Sequence, residues 1–133
     1  MIAAVADTHA ALWFLAGDPR LSLTAKTFIE TAAQQRRKIA LSPVTLAEVV
    51  YLVEKNRLPS SAFDDLRAAF RNPNHVFEEA PFNGDVVDAM RRVPRTQIPD
   101  MPDRIVAATG LYLGVPVISR DGRIRASNLQ TVW

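Results

Sequence analysis

The chain has 133 residues, a formal net charge of +2, 48% apolar residues and 23% charged residues, the size and balance of one soluble globular domain spanning 1–133. With no cysteine in the sequence, disulfides and thiolate metal sites are excluded, and a reducing, cytoplasmic setting is expected. No apolar run approaches the roughly 20 residues that cross a bilayer, and "MIAAVADTHA" lacks the basic start of a signal peptide, so no membrane association is expected.

In chain order, "IAAVA" (2–6) reads as a buried strand, short and ended abruptly by Asp7. "THAALWFLAG" follows as a helix with a threonine start and a glycine stop. "SLTAKTFIETAAQQRRK" (22–38) is an amphipathic helix whose basic residues are expected in its last turn, where the dipole favours them. "KIALS" (38–42) is the second strand. "SPVTLAEVVYLVEKNR" opens a helix with Ser42 as cap and Pro43 at its first position. "SSAFDDLRAAFRN" and "NGDVVDAMRRV" are further helices, either side of a weaker strand, "HVFEEA" (75–80). After the proline-rich loop "VPRTQIPDMPD", the helix "DMPDRIVAATGLYLG" ends at Gly114, where a left-handed cap is expected. "VPVIS" (115–119) is the next strand, and "TVW" the last. Strands alternating with helices predict an α/β fold: a parallel sheet with helices on both faces.

Four acids stand where ligands bind such sheets, beyond the carboxyl ends of the strands. Asp7 follows the first strand; as a lone residue it is equally a helix N-cap. Glu48 has Val44, Ala47, Val49, Tyr51 and Leu52 around it, so burial would cost several kcal/mol without a partner. Lys55 shares its face only at two turns' distance, and a partner from elsewhere in the fold, or a cation, is expected. Asp103 heads a seam of small residues, Ala107 and Gly110, while Asp100 is spaced as the cap of the same helix. Asp121, in "SRDGR", is first of all a turn signal. Four neighbouring carboxylates need compensation, and with no cysteine and two histidines an oxygen-loving dication, Mg2+ or Mn2+, is indicated.

Those segments, "VADTHAALWFL", "LSPVTLAEVVYLV" and "PDMPDRIVAATGLYLGVPVISRDGRI", resemble PIN-domain ribonucleases, in particular the VapC-type toxins of toxin–antitoxin modules. The resemblance implies a PIN-like three-layer α/β/α sandwich with a mainly parallel sheet of four to five strands. It also implies a metal-dependent endoribonuclease leaving 5′-phosphate products, with Asp7, Glu48, Asp103 and Asp121 as catalytic ligands of Mg2+ or Mn2+. Thr8, Asp100 and Ser119 are supporting candidates around those ligands. Arg104, Arg120 and Arg123 are candidates for RNA phosphates, in line with basic clusters at 36–38, 91–95 and 119–125 that are otherwise solvated faces. The implied partners are RNA, a small VapB-like antitoxin and a second copy of the chain, for which the apolar face "LWFL" is compatible.

His9 reads as a satisfied or half-exposed helix-start histidine, and Trp13, Phe14 and Leu15 as core or subunit interface. His75 carries no signal. Two other readings stand beside the toxin. One is a PIN-fold protein that binds or processes RNA outside a toxin module. The other is an Mg2+-dependent phosphotransfer domain, against which "DTH" offers no second acid after the first strand.

Overall fold

A computed structural model describes residues 1–133. Five strands, β1 (Ile2–Ala6), β2 (Lys38–Leu41), β3 (Phe77–Glu79), β4 (Val117–Ile118) and β5 (Thr131–Val132), form one sheet in the order β3-β2-β1-β4-β5. Every pairing is parallel, so the expected mainly parallel sheet is wholly so. The alanine-rich β1 has weak intrinsic strand preference. It holds the centre because Ala3, Ala4, Val5 and Ala6 are all buried, small enough for helices to approach both faces.

Alternation along the strands splits the core in two. Ala4, Ala6, Ile39, Leu41, Phe77 and Ile118 pack with α1 (Thr8–Ala16), α2 (Leu23–Gln34), α3 (Pro43–Glu54) and α4 (Ser61–Arg71). Val5, Ala40 and Val117 pack on the other side with α5 (Gly84–Met90), α6 (Met101–Leu113) and α7 (Gly122–Ala126). The result is a three-layer α/β/α sandwich. Gly110 lets α6 lie directly on the sheet: a Cβ there would stand 2.8 Å from Val117 Cγ2 and 3.3 Å from the Val115 carbonyl oxygen.

The caps behave largely as the sequence indicates. Ser42 Oγ accepts from Val44 N at 3.2 Å with Pro43 in the first turn, and Gly114 closes α6 at φ 68°. Three expectations change. Helix α2 stops at Gln34, because Arg36 turns left-handed at φ 57° and Lys38 already pairs in β2. The basic triplet therefore lies beyond the helix rather than in its last turn. "LWFL" is not an outward face: Trp13 is buried, and Leu12, Phe14 and Leu15 pack against the core. Asp121 begins the short helix α7 rather than a two-residue turn.

Candidate active site

Three adjacent strands, β2, β1 and β4, end in Ser42, Asp7 and Ser119, all buried. Asp7 caps α1, its Oδ1 accepting from Ala10 N at 2.9 Å. Its Oδ2 accepts from Ser119 Oγ at 2.5 Å, and the same Ser119 oxygen accepts from Asp121 N at 3.0 Å. One serine thus locks the ends of β1 and β4 and the start of α7 to a single carboxylate. The cap reading of Asp7 is realised, and the same carboxylate lines a pocket.

Glu48 is half-buried, not enclosed, and its partner is Thr8, whose Oγ1 donates to Glu48 Oε1 at 2.6 Å. Thr8 and Thr45 hydroxyls lie 3.2 Å apart. With the Thr8 proton committed to Glu48, the buried Thr45 hydroxyl is the donor of that pair. Lys55 sits instead over the Tyr51 ring, 5.6 Å from its centroid. Asp100 caps α6, its Oδ2 accepting from Asp103 N at 3.1 Å, and Asp121 Oδ1 accepts from Arg123 N and Ile124 N at 2.9 and 3.0 Å.

Asp7, Thr8, Glu48, Asp100, Asp103 and Asp121 line one pocket of about 510 Å3, together with His9, Trp13, Arg120 and Gly122. The protein's salt bridges are Arg20–Asp18 and Arg67–Glu79, so none of the five pocket acids is ion-paired. Three of them titrate above the ordinary carboxylate range. Burial pushes Asp7 above the ordinary aspartate range, against the pull of the Ser119 and Ala10 donors. Burial likewise raises Glu48, opposed by Thr8 and reinforced by Asp100. Asp103 is pushed up to about 7 by desolvation and then by Asp100, Asp121, Glu48 and Asp7.

An all-oxygen set of uncompensated carboxylates suits a hard dication. As the side chains stand, no three of them close into a ligand cluster, so an ion would draw them together through rotamer changes. Carboxylates that repel one another rest apart until a cation joins them.

Of the basic candidates, Arg120 alone lines the pocket. Arg104 Nη2 donates to the Met90 and Val93 carbonyls, both at 3.0 Å, tying α5 to α6. Arg123 is exposed on α7. Two residues set aside from the sequence, His9 and Trp13, stand in the wall. They are four apart on α1, with ring centroids 5.6 Å apart. Guanidinium groups of Arg120 and Arg20 lie 4.7 and 5.0 Å from the Trp13 ring. The i, i+4 spacing next to Asp7 was the available signal.

The PIN domain family model matches residues 4–128. Ribonuclease VapC22 of Mycobacterium tuberculosis is 26% identical over 136 residues, covering all of both chains. Among solved structures, VapBC2 from Rickettsia felis bound to a promoter DNA fragment aligns at TM-score 0.70 and 18% identity, over 98% of this chain and 97% of that one. A toxin–antitoxin complex from Klebsiella pneumoniae aligns at 0.65 and 19% with the same coverage. FitAcB from Neisseria gonorrhoeae aligns at 0.59 and 18%, over 98% and 96%. The fold is theirs, and the match across nearly the whole sequence makes this chain a member of the PIN-domain family.

Proposed function

We propose that the protein is a metal-dependent endoribonuclease acting as the toxin of a type II toxin–antitoxin module. The observation that carries this reading is the convergence of Asp7, Glu48, Asp103 and Asp121, with Asp100, in one pocket where none of them is ion-paired. The full-length relative named as a ribonuclease, and the toxin–antitoxin complexes that share the fold, support it. A bound Mg2+ or Mn2+ supplies Lewis acidity and makes water a better nucleophile at neutral pH.

The chain's own residues set up the rest. Ser119 and the Ala10 amide fix the Asp7 carboxylate, and Thr8 fixes that of Glu48. Asp103, held at about 7, is the carboxyl that retains a proton near neutrality. Its loss adds one more negative charge for a dication to compensate. Arg120, at the pocket wall beside Trp13, meets a phosphodiester that the acids alone would repel. Water attacks phosphorus in line and the bond to the 3′ oxygen breaks, giving a 5′-phosphate and a 3′-hydroxyl.

The partners of this reading are RNA, a VapB-like antitoxin that occludes the pocket, and a second copy of the chain; the catalytic unit is residues 1–133. The test is growth of a bacterial host expressing the wild type, Asp7→Asn or Glu48→Gln, with and without the small protein encoded beside it. Growth arrest by the wild type alone, relieved by that protein, is expected. Equal arrest by all three removes the proposal.

A further inference from the structure

At the opposite end of β2 from the acidic pocket lies a second pocket, of about 520 Å3, with no acid in its lining. Lys38 to Ser42 spans roughly 13 Å at strand rise, so the two sites are separate. This one is built where α2 turns into β2 and where residues 73–76 lead into β3, and it gathers Arg36, Arg37, Lys38, Asn74 and His75.

Arg37, His75 and Lys38 each keep an N–H without an acceptor. Arg37 Nε is buried and has no hydrogen-bond partner, a condition that is normally costly. His75 Nδ1 accepts from Phe77 N at 2.9 Å, which leaves the proton of the neutral ring on Nε2. Burial, helped by the Lys38 charge, holds His75 below its ordinary value and so in that neutral form. Lys38 Nζ donates to the Pro73 and His75 carbonyls at 2.7 and 2.6 Å. Two of its donors thereby tie the loop down and one remains. None of the three cations is ion-paired, since the protein's salt bridges lie elsewhere.

The backbone is specialised too. Arg36 N and Arg37 N close α2 on the Ala33 and Ala32 carbonyls, with Arg36 at φ 57°. That position is ordinarily glycine, and an arginine there is strained. A left-handed arginine, a loop tied by Lys38 and three unpaired cations converge on one concavity.

We propose that this pocket binds a phosphate oxyanion, held by the guanidinium groups of Arg36 and Arg37, the remaining Lys38 Nζ–H and His75 Nε2–H. The proposal stands apart from the nuclease reading, since it uses none of the pocket acids. The first test is titration with inorganic phosphate, following the Arg37 Nε–H and His75 ring signals by NMR, in the wild type, Arg37→Gln and the exposed-site variant Arg36→Gln.

Saturable shifts in the wild type are expected, weakened about tenfold in Arg37→Gln and less in Arg36→Gln. The second arm measures binding of a short RNA to Asp7→Asn and to Asp7→Asn carrying Arg37→Gln. Weakening by the second change assigns the site to a nucleic-acid phosphate, and no change assigns it to a small free phosphate. Absence of saturable phosphate binding, or binding unaltered in both arginine variants, overturns the proposal.

Discussion

The crowding of carboxylates makes a thermodynamic prediction independent of catalysis: Asp103→Asn stabilises the metal-free protein. A carboxyl held at about 7 against its ordinary 3.8 would be worth about 4 kcal/mol at full desolvation. Asp103 is half-buried, and solvent screening reduces this to about 1–2 kcal/mol. The native state here binds the proton more tightly than the unfolded chain. Stability is therefore lost as pH rises from about 4 to about 7, and the loss is complete above that. Its removal in Asp103→Asn gives no advantage below pH 4 and a growing one up to pH 7. Above pH 7 a plateau of about 3–8 °C in Tm is expected for a domain of this size. The amide orphans nothing, since the Asp103 carboxyl accepts none of the side-chain hydrogen bonds formed around it. Thermal unfolding in chelator across pH 4–8 reads the effect, and adding Mg2+ stabilises the wild type more than the variant. A variant that is less stable at pH 8, or equally offset at every pH, refutes the repulsion argument.

Ser119→Ala removes the hydroxyl donor from the buried Asp7 carboxylate. Urea unfolding should show a loss of about 2 kcal/mol at pH 8, shrinking as Asp7 protonates in acid. Thr8→Val takes the donor from Glu48, and its carboxyl should titrate still higher, read by carboxyl 13C shifts; an unchanged titration contradicts the pairing. Gly110→Ala pushes a methyl against Val117 Cγ2 and the Val115 carbonyl, costing about 1–3 kcal/mol in thermal unfolding.

Strand positions, caps and fold class were legible because they rest on local chemistry: apolar runs of four or five residues, Pro43 after Ser42, and Gly114 at a helix end. That Asp7, Glu48, Asp103 and Asp121 share one pocket was legible because strand ends border crevices in parallel sheets. What escaped depends on tertiary contact. The basic triplet at 36–38 suits a helix terminus by charge, yet the turn to β2 comes first, forced by pairing of Lys38 beside Ile2. Glu48 looks enclosed by its own helix, but the helix borders an open pocket and the partner hydroxyl lies 40 residues away. Trp13 was read as core or interface and is core, yet it also walls the pocket and seats Arg120. Arg104 looked equivalent to Arg120 in sequence and is instead spent on two carbonyls. Nothing in one sequence distinguishes an arginine that faces substrate from one that ties two helices together.

The central claim is that the acidic pocket cleaves RNA with a dication. The direct measurement is cleavage of end-labelled RNA by the purified chain in Mg2+, in Mn2+ and in chelator, beside Asp7→Asn and Glu48→Gln, with the new ends mapped. Ends bearing 5′-phosphate and 3′-hydroxyl are expected in either metal, with cleavage lost in chelator and reduced at least about a hundredfold in both variants. Cleavage that persists in chelator or in both variants, or that leaves cyclic phosphate ends, would contradict the claim.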